Sequence, residues 1–197
     1  MSQLGRGVVC LSAPANSAAD WVRRGVVPCH VFEHAAWSVV VPAAVTSAAS
    51  APYDDALMVL AARQVGARLA PAIGLFHFDD IAVITAHAGG RGPAHWALRN
   101  ADREIVAGPD LPALSPEGLH RVLASGAPTR QVPIREVRTL WDRSDLRHGE
   151  WLVEAAAVLG LPGGRILDGT DQDLGPVITP DARSVASFES VIKDVHP

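Results

Sequence analysis

The chain has 197 residues, 48% hydrophobic and 19% charged, with a net charge of -4 and a pI near 6.0. That balance belongs to a folded globular protein and excludes general disorder; with no basic face, it also excludes nucleic acid as a partner. Lys193 is the only lysine among seventeen basic side chains, which removes Schiff-base and phosphate-clamping lysine chemistry from the body of the fold.

In chain order the first element is a short strand at 7–12, broken by Pro14 and Asn16. Asn16 or Ser17 can cap a short helix that runs to Arg24, and Gly25 ends it. Residues 26–32 and 37–41 read as two strands joined across 33–36, and 42–52 is a loop long enough to act as a flap. The 3.6-residue period of Leu57, Leu60, Ala61, Gln64 and Val65 predicts the strongest helix over 53–69, with Asp54 and Asp55 at its positive end and Pro71 as its stop. Strands at 75–78 and 81–86 follow, with Asp79 and Asp80 between them where a tight turn falls. The second of these is apolar at nearly every position, as a central strand covered on both faces is. After the loop 89–92, a further hairpin spans 94–99 and 104–107. A symmetric closure of that loop about Arg91 would set His87 opposite His95.

Residues 32–41 echo 76–85 in apolar pattern, so the first half reads as two helix–strand–strand units sharing one antiparallel sheet. Beyond 108 the composition turns helical. Ser115, Pro116 and Glu117 are a cap, first-turn proline and acid in order, and helices are expected to begin there, to span 134–141 and to span 149–159, with Gly160 as the last one's stop. The tail from 176 to 197 is expected to wrap the domain or fray. The fold class is therefore α+β: a mainly antiparallel sheet of five to seven strands packed against a long central helix, with a C-terminal group of helices. Residues 1–108 form the sheet domain, and 109–197 a helical extension and turn-rich tail on the same core.

Two cysteines, Cys10 and Cys29, make no disulfide framework. No charged-then-apolar leader opens the sequence, and no window approaches the ~20 apolar residues of a membrane helix. The expected setting is cytoplasmic, without a membrane partner.

Chemistry-bearing residues gather at two strand–turn–strand corners. His30 and His34 flank Glu33 at one, and His77, Asp79 and Asp80 stand at the other. Two corners together could supply the three or four N/O ligands that a divalent metal needs, so His30, His34, His77 and Asp79 are the metal candidates. His77, Asp79 and Asp80 are the acid/base candidates. Gly89, Gly90, Arg91 and Gly92 could cradle an anion on free backbone N–H groups, although a strand rather than a helix follows them. Alternate carboxylates at 168–173 resemble a calcium loop but lack its distal glutamate. Cys29 beside His30 makes no nucleophile pair, because neighbours on a strand point to opposite faces. Five tryptophans serve the core or a partner surface. No catalytic motif is complete. The expected function is non-catalytic binding of a protein partner, a second copy of the chain or a small molecule, through the sheet face or the 42–52 loop. The alternative is a metal-assisted hydrolase built on His30, His34, His77 and Asp79, with a divalent metal as its cofactor.

Overall fold

The computed structural model of the chain describes residues 6–89, 92–106, 108, 110–126, 131–171 and 174–195. In order these form β1 (Arg6–Leu11), α1 (Ala15–Arg23), β2 (Cys29–His34), β3 (Trp37–Pro42), α2 (Ala56–Ala62), β4 (Ala72–Phe78), β5 (Ile81–His87), β6 (His95–Arg99), β7 (Ile105–Val106), α3 (Pro116–Ala124), α4 (Ile134–Trp141), α5 (His148–Leu159), α6 (Gly164–Leu167), β8 (Val177–Ile178) and α7 (Ala182–Val195). The architecture is α+β. One antiparallel sheet of eight strands has the order β7-β6-β5-β4-β1-β3-β2-β8.

Connectivity explains the middle of the sheet. Strands β1 and β2 run parallel with β3 between them, and β3 and β4 run parallel with β1 between them. A helix joins each parallel pair, which is the split β-α-β connectivity of ferredoxin-like folds. The two crossovers start from oppositely directed strands and step across the sheet in opposite senses. A single crossover hand therefore puts α1 and α2 on the same face. The repeated unit of this arrangement is strand–helix–strand. In the helix–strand–strand echo read from the sequence, the second strand of one unit and the first of the other both flank β1, so those units are not equivalent in the sheet.

Alternation along the strands builds a core on each side. Val9, Leu11, Val40, Phe76 and Val83 meet Trp21 and Val22 of α1 and Leu57 and Leu60 of α2. Val8, Cys10, Val39, Leu75 and Ile84 meet Leu119 of α3, Val137 and Leu140 of α4, Trp151, Leu152 and Ala155 of α5, and Ile166 of α6. The C-terminal helices thus share a core with the sheet. Helix α5 ends at Gly160 in the left-handed conformation (φ 64°), as its glycine stop requires.

The strand count and the central helix are corrected, and the tail wraps the domain, one of the two forms expected of it. The sheet has eight strands rather than five to seven, because β8 is a two-residue piece, unexpected from the sequence, that exists through its pairing with β2. The long central helix over 53–69 is the seven-residue α2, capped by the Asp55 carboxylate, which accepts from the Met58 N–H at 2.9 Å. At Arg63 the backbone turns extended (ψ 128°), and the guanidinium lies 4.0 Å from the Trp21 ring centroid and donates to the Trp21 carbonyl. Val65 and Leu69 remain buried without a helix to carry them. The tail forms β8 and the fourteen-residue α7, whose Phe188 packs edge-on against Tyr53 at 5.6 Å and whose Val185 joins the α1/α2 core.

Residues 42–52 are pinned rather than flap-like. Ala43 N–H donates to Pro28 O, Ala48 N–H to Val26 O, and Ser50 N–H to Glu189 of α7. Ala49 is buried. On the same face the Phe76 ring lies across two glycines on neighbouring strands. A Cβ on Gly7 would stand 2.5 Å from Phe76 Cδ1, and one on Gly74 2.4 Å from Phe76 Cε2 and 2.5 Å from Thr85 Oγ1. Replacing Gly74 with valine is therefore expected to cost about 1–3 kcal/mol through overpacking, read as a lower urea midpoint. An unchanged midpoint would show that Phe76 does not occupy that slot.

Candidate functional site

The register brings four residues into one row across four strands. Arg6 on β1 pairs with His77 on β4, His77 with Ala82 on β5, and Ala82 with Arg99 on β6. Directly opposed residues share a face, here the face covered by α3–α6. With strands ~4.8 Å apart, His77 and Arg99 are separated by about 10 Å across the small Ala82.

The α5 N-terminus closes over this row. His148 stacks on His77 with ring centroids 4.9 Å apart. Gly149 leaves room above the same ring, since a Cβ there would stand 3.4 Å from His77 Cε1 and 3.6 Å from Nε2. His148 Nε2 lies 3.1 Å from Asp79 O. A carbonyl only accepts, so this nitrogen carries the proton and donates, which ties α5 to the β4–β5 turn. Glu150 accepts from Arg147 N–H at 2.9 Å and caps the helix.

Arg99 is the unusual member. It is 0% exposed, yet among the described residues no carboxylate forms an ion pair with it. Its Nη2 donates to the carbonyls of Arg143 and Leu146, and the guanidinium sits 5.1 Å from the Trp151 ring centroid. Among the described residues the Nε and Nη1 groups have no hydrogen-bond partner, and neither does His77 Nε2. Burial lowers the Arg99 pKa, with Arg103 acting in the same sense and Asp145 against it. Burial also lowers the His77 pKa, followed by His148 and Arg6, with Asp79 opposing. His77 is thus neutral at pH 7. The row presents guanidinium donors, the positive charges of Arg6 and Arg99 and the positive end of a helix dipole, a combination that attracts an anion.

The residues singled out in the sequence fall in different places. His77 and Asp79 do come together, and Asp80 completes the two-residue turn between β4 and β5 as an exposed residue. His30 and His34 belong elsewhere. His30 shares the face of His77 but lies three strands away, about 14 Å across the sheet, and its Nδ1 is 2.8 Å from Gly175 O. His34 pairs with Trp37 at the β2–β3 turn, at the opposite end of the strands from His77. The four metal candidates therefore do not converge. Among the described residues, no group of three or more His, Cys, Asp or Glu side chains is placed to hold a metal ion. Gly90 and Arg91 lie outside the described residues, as do Gln172 and Asp173; Gly89 is in a left-handed turn (φ 92°) and Gly92 is exposed. Ala86 rather than His87 pairs with His95, so the two histidines lie on opposite faces.

Both cysteines are free and buried, Cys10 on one face and Cys29 on the other, and burial pushes each thiol up to about 12. Neither is a nucleophile at neutral pH. Arg6, Arg99, His148 and Gly149 were not visible as site residues in the sequence. The available signal was Arg99 itself, a charge in phase with the buried Ala97 on an otherwise apolar strand.

The histidines give a pH dependence. His77 and His87 have folded pKa values held below the ordinary 6.5, both mainly by burial. The unfolded chain then binds more protons, so stability is complete above the unfolded value and declines as pH falls from about 6.5 towards the folded values. The urea midpoint is expected to drop between pH 7 and 5, and His77→Gln to flatten the drop. A midpoint that rises on acidification would contradict the burial of these rings. Compared with family models, curated proteins and solved structures, the chain gives no significant match.

Proposed function

We propose that the chain is a binding domain for a small anionic ligand, a phosphate or carboxylate group, held on the row formed by His77 and Arg99 under the α5 N-terminus. The observation that carries this reading is the pair of buried guanidinium donors without partners among the described residues, Arg99 Nε and Nη1, on the same row as the equally unpartnered imidazole nitrogen His77 Nε2. A buried guanidinium satisfied on one nitrogen costs several kcal/mol, and an anion between it and the neutral imidazole would offset that cost with charge-assisted hydrogen bonds. Access runs through the connection from Asp142 to Arg147, which is largely exposed. Its carbonyls at Arg143 and Leu146 are held by Arg99, and the one at Ser144 by Arg103 at 3.2 Å. An arriving anion would compete with these carbonyls for the same guanidinium. Both sheet faces are packed under helices, so this enclosed row supports ligand binding better than an open sheet face does. The separation of His30 and His34 from His77 weighs against the metal-assisted hydrolase.

Thermal melts in phosphate, acetate and chloride at matched ionic strength test the reading. Phosphate or acetate is expected to raise the melting temperature saturably, as a ligand specific to the folded state does, while chloride does not. Arg99→Met should abolish that response without a large loss of stability in chloride, because an apolar side chain of similar length removes the unpaired charge along with its donors. Equal responses to all three salts, or a full phosphate and acetate response in Arg99→Met, would overturn it.

A further inference from the structure

A second feature lies on the outer side of the same helices. Helices α4 and α5 leave a groove of about 330 Å³, at the lower end of the ~300–1,000 Å³ range of small-molecule sites. Its floor is Leu140 and Val158, and its rim carries Arg135, Glu136, Arg143 and Glu154. These charges are not equally engaged. Arg143 holds Asp145 with two bonds of 2.7 and 2.8 Å and approaches Glu154 only to 3.8 Å. The Arg135 guanidinium makes no ion pair or hydrogen bond with any described residue. The rim thus offers one uncommitted cation on α4 facing one weakly engaged carboxylate on α5, over an aliphatic floor.

We propose that this groove binds a small zwitterion of the α-amino-acid class, with its carboxylate on Arg135, its ammonium on Glu154 and an aliphatic side chain against Leu140 and Val158. The charge balance selects this class. Two arginines and two glutamates line the groove, so a simple anion meets two carboxylates and a simple cation two guanidiniums, whereas a molecule carrying both charges satisfies each side. The half-open groove has the volume of a site for a small ligand. This site shares no ligand-contacting residue with the row under α5, so either reading can fail alone.

The test is isothermal titration of the full chain with L-alanine, L-valine and L-leucine, set against N-acetyl-L-valine and L-valine methyl ester. At least one free amino acid is expected to bind saturably, and each blocked valine to bind about tenfold more weakly than valine or worse, since each loses one charged partner. Arg135→Ala and Glu154→Gln should each weaken binding by about tenfold or more, with circular dichroism and melting temperature close to the parent's because both side chains are on the surface. Absence of saturable heat for all three amino acids, equal affinity for valine and its blocked forms, or undiminished binding by Arg135→Ala would overturn the proposal.

Discussion

From Val8 to Leu11 every residue of β1 is at most 4% exposed, alternating between two cores, so the central strand has no face to give to water. That constraint shapes the rest of the molecule. One face must be covered by α1 and α2, which the two crossovers deliver together, and the other needs apolar cover from outside the split β-α-β unit. Helices α3 to α6 supply it, with Trp151 fully buried near the middle and its indole N–H donating to Leu140 O at 2.9 Å. Without the C-terminal helices, Val8, Cys10, Ile73, Leu75 and Ile84 would be a continuous apolar surface, of the kind that drives association.

The apolar covering stops at one end of the sheet. There β1 begins with Arg6, β4 nears its end with His77 and β6 ends with Arg99, all on the face that α5 covers. The same packing that buries Trp151 therefore buries a guanidinium and an imidazole edge with it. Their desolvation is supported by the surrounding core more than by their own hydrogen bonds, which Arg99 makes through Nη2 alone. Arg63 on the opposite face is a contrast. It too has a buried nitrogen without a partner, but it lies flat on Trp21 and against Gly25, where a Cβ would stand 2.1 Å from Nη1. It fastens α1 to the chain after α2.

The connection between α4 and α5 relates the two proposed sites. Arg143 gives its backbone carbonyl to Arg99 on the inside and its side chain to the groove on the outside. Arg143 thus borders both, one through its backbone and the other through its side chain.

Much of the fold was legible in the sequence because it rests on local rules. Apolar runs located β1, β3, β4 and β5, Asp79-Asp80 located their tight turn, and Ser115-Pro116 and Gly160 located a helix start and a helix stop. Strand alternation alone separates Cys29 from His30. What periodicity could not decide was where burial comes from. Val65 and Leu69 fit a helical stripe, yet Arg63 leaves the helix to lie on Trp21, a residue forty-two positions earlier. Strand β8 has too little sequence to announce itself and depends on a partner strand already in place. The site was the least legible part. His77 was visible as a histidine beside a turn, but its neighbours Arg99 and His148 come from a strand two places away and a helix about seventy residues on. Sequence determines which residues alternate and where elements can start and stop. Register across the sheet, and the helix laid over it, decide which of those residues meet.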